Sequence, residues 1–283
     1  MTANELVAKV KNLPPISQAA LQLVNLLDEP AVSNEDVVQV LKYDNVLTAK
    51  LLRACNSPYF GLEEPVSSVD QAVLILGHHQ ILHIVLTLAF GGAMTVPLVG
   101  YAVECNDLWH HSLMSATAAE YVVTNGIDMN VDAHVAFTVG LLHDIGKLVL
   151  GQALTPEQQT NIRALIADKK NSRSEAEKLV LGTDHAEVGG ALLQAWNLPA
   201  EIIEGVGNHH QPVVDPEPKL SAVSHLSNYI AHRLGSAPGL EAYAALVDIR
   251  VAEAFSLTPA RIEGITEGAK NACERVDQLM TMA

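Results

Sequence analysis

The chain has 283 residues, 49% hydrophobic and 17% charged, a balance that supports a sizeable core and excludes intrinsic disorder. Aromatic residues are only 4%, so the core is expected to be aliphatic. A formal net charge of −15 with no local basic patch repels phosphate backbones and excludes direct nucleic-acid binding.

Leu6, Val7, Val10 and Leu13 share one stripe of a first helix that Pro14-Pro15 stops. Ser17 opens a second helix, carrying Ala20, Leu21, Val24 and Leu27 and ending near Glu29-Pro30. Ser33-Asn34-Glu35-Asp36 reads as a capping box, with Val37, Val40 and Leu41 inward on the helix that follows. Leu47, Leu51, Leu52 and Cys55 keep the helical period up to a turn at Asn56-Ser57-Pro58, and Ser68-Val69-Asp70-Gln71 caps the next helix. The apolar stretch from Ala72 to Met94 is interrupted by Gly77, His78, His79, Gln80 and His83. It lacks the run of roughly 18 apolar residues a membrane helix needs, so a buried protein helix and no membrane association are expected. Gly91-Gly92 and the segment from Pro97 to Gly100 predict a boundary.

From Asn106 the pattern is helical to Gly126, and Asp132 caps the helix leading into Gly140-Leu141-Leu142-His143-Asp144-Ile145-Gly146-Lys147-Leu148-Val149-Leu150. Thr155-Pro156-Glu157-Gln158 starts another helix, with proline at its first position. Asp184-His185-Ala186-Glu187 is a further capping box, and His209-His210 ends the helix after it. Leu220 to Leu234 is helical, Ser236-Ala237-Pro238-Gly239 is a linker, and two helices close the chain, across Leu240–Phe255 and from Thr258-Pro259. No stretch alternates as a strand and no internal repeat is present, so the expected class is all-α. The expected bounds are an N-terminal helical lobe at 1–100, packed on a second helical lobe at 101–235 with a C-terminal helical extension at 236–283. Three widely spaced cysteines, Cys55, Cys105 and Cys273, together with the absence of a leader-like start, predict a reducing cytoplasm and buried structural thiols.

An imidazole, a carboxylate and an ammonium inside the apolar Gly140-to-Leu150 stretch each need a partner. His143-Asp144 alone reads as a hydrogen-bonded core pair; the other histidines change that. His111, His185, His209 and His210 lie on separate helical segments, and facing helices can aim such side chains inward. Imidazoles with a carboxylate suit a divalent metal, one or two ions of Fe, Mn, Zn or Ni. Such a centre favours phosphoester hydrolysis, with Lys147 stabilising developing charge. Asp107 precedes His111 by one turn and shares its helix face. His78, His79, His83 and His134 read as satisfied core or interface residues, and His110 points about 100° away from His111.

Three ordered motifs carry a resemblance: Leu13-Pro14-Pro15-Ile16, the segment from Tyr43-Asp44-Asn45 through Ala54-Cys55-Asn56-Ser57, and Ser67-Ser68-Val69-Asp70-Gln71-Ala72-Val73 on to Leu76-Gly77. They resemble the HDOD family, helical signalling domains related to HD-type phosphohydrolases. The resemblance implies an HD-like second lobe in which His111, His143-Asp144, His185 and His209-His210 match metal ligands retained in the HD-GYP phosphodiesterases, with Asp107 as an additional ligand and Asp144 and Lys147 as the catalytic groups. It implies Asn228 at the place of the last ligand, normally an aspartate, with His225 or His232 as substitutes. The Gly-Tyr-Pro loop is replaced by Gln211-Pro212. The expected function is therefore a bacterial signal-transduction protein acting through protein partners. The alternatives are a metal-dependent phosphohydrolase acting on a nucleotide or cyclic dinucleotide, and a module that senses such a nucleotide ligand.

Overall fold

The structure, a computed structural model, describes residues 1–10, 17–26, 32–42, 44–95, 97–98, 101–167, 171–239, 246–276 and 280. Leu13-Pro14-Pro15-Ile16, Leu27, Glu29-Pro30, Tyr43, Gly100 and residues 240–245 lie outside them. Every regular element among the described residues is helical; the one β-type pairing is an isolated bridge between Leu98 and Val103. The helices fall into two compact units, Pro14–Ala93 with Asp277–Ala283, and Met1–Leu13 with Met94–Val276.

The larger unit begins with α1 (Ala3–Lys9), and the smaller unit holds α2 (Gln18–Leu26), α3 (Asn34–Lys42), α4 (Asn45–Cys55), α5 (Val69–Leu76) and most of α6 (His78–Met94). The aliphatic stripes read from the sequence make the smaller unit's core, where Leu23, Val37, Leu41, Leu51, Cys55, Val73 and Ile81 are buried together. Its caps form as expected. Ser33 and Asp36 bond reciprocally, and the Ser68 hydroxyl accepts the Gln71 amide at 3.1 Å. Asn56 does more than end α4: its amide donates to the Val66 carbonyl and accepts the Val66 N–H, pinning the loop between them. The expected break at Gly91-Gly92 is absent, because α6 continues through both glycines to Met94.

The larger unit continues with α7 (Asp107–Tyr121), a π-helical turn (Val122–Gly126), α8 (Ala133–Leu142), α9 (Gly146–Ala153), α10 (Pro156–Ala167), α11 (Arg173–Leu181), α12 (His185–Ala195), α13 (Ala200–Gly207), α14 (Leu220–Arg233), α15 (Ile249–Ala254) and α16 (Pro259–Cys273). The central helix is α7, apolar or small nearly all round and packed on α8, α14 and α16. α8 crosses it closely: a Cβ on Gly140 would sit 2.6 Å from the Ser115 carbonyl oxygen. The helical run Ala133–Ala153 is long and apolar enough to cross a membrane by composition, yet 89% of its most apolar window is buried inside protein. These groupings differ from the expected bounds at both ends. α1 packs on α12 and α9, and the Met1 ammonium donates to the Leu181 carbonyl at 2.9 Å. α16 packs along α7 as part of the same unit.

Candidate metal centre

Four elements carry the chemistry-bearing residues. His111 lies in mid-α7, fully buried. His143 and Asp144 occupy a short break between α8 and α9, held by turn bonds from Ile145 N–H to the Leu142 carbonyl and from Lys147 N–H to the Asp144 carbonyl. The break opens onto α12 only because residue 146 is glycine; a Cβ there would come within 1.9 Å of the His185 carbonyl oxygen. His185 is the first residue of α12, directly after its cap Asp184, whose carboxylate accepts the Glu187 amide at 2.9 Å. His209 and His210 sit in the turn that follows α13.

The Nδ1 atoms fix how the rings face. His111 Nδ1 donates to the Ser236 carbonyl at 2.8 Å, His143 Nδ1 to the Gly140 carbonyl at 2.7 Å, and His209 Nδ1 to the Val206 carbonyl at 2.8 Å. A carbonyl oxygen only accepts, so each Nδ1 carries its proton and each neutral ring presents an Nε2 lone pair. Those lone pairs converge. His143 Nε2 lies 3.2 Å from His111 Nε2, and His210 Nε2 lies 2.8 Å from His185 Nε2. His209 Nε2 is buried without a hydrogen-bond partner, with its ring 5.1 Å from that of His143 and 5.5 Å from that of His185. Asp144 lies between the two groups: Oδ2 is 3.4 Å from His143 Nε2 and 3.7 Å from His111 Nε2, and Oδ1 is 3.3 Å from His185 Nε2. The buried Lys147 ammonium donates to Asp144 Oδ2 at 2.7 Å.

Two acceptor lone pairs meeting at hydrogen-bond distance repel unless a cation lies between them, either a proton or a metal. His111, His143 and Asp144 form one set whose ligand atoms lie within 4.8 Å of one another, and His185, His209 and His210 form a second. Nitrogen and carboxylate donors with a fixed tautomer and an orphaned buried Nε2 are what a borderline divalent ion requires, so the residues fit the metal the sequence implied.

Electrostatics set His185 apart from the other four histidines. Burial, then the neighbouring His143, hold His111 well below the ordinary histidine value; burial, then His209, do the same to His210. Burial pushes His209 down to about 3, and His143 is lowered by the same cause. His185 goes the other way: burial opposes its charged form, but the Glu177 carboxylate and the bonds to Asp144 and Glu177 outweigh that and raise it to about 10. In Asp144 burial is likewise outweighed, by Lys147, His143 and His185, and its carboxyl titrates well below the usual range.

Two expected residues lie elsewhere in their bonding. Asp107 is exposed, its carboxylate accepting the Glu104 amide at 3.2 Å, so it is tied to the turn before α7 and does not join the gathered donors. His225 is spent on backbone: its Nδ1 donates to the His209 carbonyl at 2.9 Å and its Nε2 accepts the Asp248 amide at 3.0 Å. His232 places its ring 4.9 Å from that of His111, and Asn228 is buried with its Oδ1 unpartnered. The sequence reading missed Glu177, fully buried on α11, whose Oε2 accepts both the ring Nδ1 of His185 at 2.7 Å and its backbone amide at 2.8 Å. Tyr101 O–H donates to the other Glu177 oxygen at 2.8 Å, and Arg173 stacks over the Tyr101 ring at 4.4 Å. No local pattern marks Glu177, since its partners are 8 and 76 residues away.

Residues 13–212 match the HDOD domain family. The chain belongs to that family. An HDOD domain protein of unknown function from Geobacter sulfurreducens is 24% identical, with a TM-score of 0.72 over 98% of this chain and 96% of that one. A Shewanella amazonensis protein provisionally assigned as a phosphohydrolase is 27% identical, with a TM-score of 0.69 over 97% of both chains. An uncharacterized protein of Treponema pallidum is 24% identical over 239 residues, 83% of this HDOD chain and 45% of that protein, so the chain spans less than half the length of this curated relative.

Proposed function

We propose that this HDOD protein is a signal-transduction component whose larger unit binds a divalent metal at His111, His143, Asp144, His185, His209 and His210, and which acts through a protein partner. The observation that carries the reading is the convergence, beside the Asp144 carboxylate, of the His111, His143 and His209 Nε2 lone pairs, whose Nδ1 protons are committed to carbonyls. Unlike the wet, open face of a hydrolytic centre, His111, His143, Asp144, His185 and His209 are each at most 1% exposed, and His210 alone is half-buried. A closed donor set is characteristic of metals that hold structure or report state, and Asn228 supplies an amide where a hydrolase uses a negative ligand.

A second reading, metal-dependent phosphoester hydrolysis, is favoured by Asp144 reaching toward both histidine sets and by Lys147 on the same carboxylate. The Shewanella relative's assignment points the same way. In that reading the metal, when bound, supplies Lewis acidity toward a phosphoryl oxygen. Asp144 orients the donors, and Lys147 holds positive charge where negative charge develops. One comparison separates the readings: metal content after reconstitution under reducing conditions, and hydrolysis of a phosphodiester such as bis-p-nitrophenyl phosphate, for the wild type and His143→Ala. The proposal expects bound metal, reduced in the variant, with no turnover by either protein. Absence of metal in the wild type overturns it, and metal-dependent turnover abolished by His143→Ala installs the second reading.

A further inference from the structure

The histidines of the centre differ in what holds them from behind. His111, His143 and His209 donate Nδ1–H to neutral backbone carbonyls, while His185 donates to the buried Glu177 carboxylate. The sets also differ in charge. The His111–His143 set contains Asp144, whose Oδ2 is shared with the Lys147 ammonium at 2.7 Å; the His185–His209–His210 set has no carboxylate among its gathered donors and meets Asp144 only through Oδ1, 3.3 Å from His185 Nε2. A carboxylate behind a ligating histidine fixes its ring, makes its Nε2 a stronger donor and neutralises part of the ion's charge.

We propose that Glu177, held in place by Tyr101, is the positioning residue that strengthens the His185–His209–His210 set as a metal site, supplying negative charge through His185 Nδ1 on the side of the ring opposite Asp144. The inference rests on the metal-binding reading above. Glu177 is suited to it by three observations: it is fully buried, both of its oxygens are engaged, and the His185 backbone amide binds the same oxygen as the ring, so carboxylate and imidazole are locked in register. Tyr101, itself 1% exposed and stacked by Arg173, fixes the far oxygen.

The test is a Co²⁺ titration of the full chain, read by visible absorption and by chelator competition. His209→Ala identifies which binding step belongs to the His185 set. Glu177→Gln keeps the shape and an oxygen able to accept from His185 Nδ1, yet removes the charge. It should weaken that same step by about 10–100-fold, the usual cost of losing such a partner, and leave the other step unchanged. Tyr101→Phe should weaken the same step less, and it carries the test if Glu177→Gln does not fold. A Glu177→Gln protein that binds Co²⁺ at that step as the wild type does overturns the inference while leaving the metal centre standing. A wild type that binds no Co²⁺ overturns the metal reading and the inference with it.

Discussion

At the scale of single residues, the His143 tautomer connects sequence to chemistry most tightly. Gly140, three residues earlier, lies in the last turn of α8 and offers its carbonyl to the ring, so the ring turns its Nε2 toward His111. The presence of His143, Asp144, His185, His209 and His210 was legible from residue type and order, whereas the orientation of each ring depended on bonds to residues such as Ser236, 125 positions from His111. Asp107 shows the limit of helix-face arithmetic, since a residue in the first turn can spend its carboxylate on the backbone that precedes the helix. Asn228 gives a sharp expectation. Asn228→Asp would place an unpaired charge at a buried oxygen, so the metal-free variant should melt below the metal-free wild type, with added Mn²⁺ or Zn²⁺ recovering the loss. Equal melting with and without metal would place Asn228 outside the centre. The cysteines are a second expectation. Burial pushes Cys55 up to about 11 and Cys273 up to about 12, while Cys105 is exposed. Iodoacetamide at pH 8 should therefore label one thiol in the native protein, Cys105, and three after denaturation.

At the scale of elements, the capped helix starts were readable because their signals are local. Ser33, Ser68, Asp132, Thr155, Asp184 and Thr258 each bond within three residues, as the sequence patterns require. The break between α8 and α9 was not readable in the same way, because the apolar Gly140-to-Leu150 stretch has the composition of one continuous helix. What breaks it is tertiary: α9 must approach the start of α12 within the space that Gly146 leaves free. Gly146→Ala should therefore disturb His143, Asp144 and His185 together. The clash is with backbone, so a loss of about 1–3 kcal/mol or more in denaturant unfolding is expected, with reduced metal content. A variant of wild-type stability and metal content would contradict this account of the break. The continuation of α6 through Gly91-Gly92 is the converse case, where the pull of glycine toward a break was overridden by packing.

At the scale of the whole molecule, the all-α class followed from the 3.6-residue periods and the absence of strand alternation, and the family match covers most of the chain. The placement of α1 was not legible. Its partners, α9 and α12, lie more than a hundred residues downstream, and a short amphipathic helix carries no label for the surface it covers. The larger unit thus draws on both ends of its sequence to enclose a donor set that α7, the α8–α9 break, α12 and the turn after α13 bring together. The most direct test of that arrangement is anomalous diffraction from crystals of the metal-loaded protein. The account predicts an ion peak about 2.0–2.3 Å from Nε2 atoms of at least one of the sets His111–His143–Asp144 and His185–His209–His210. Crystals grown with metal that show no peak at either set, with the same Nε2 atoms still facing one another, would contradict it.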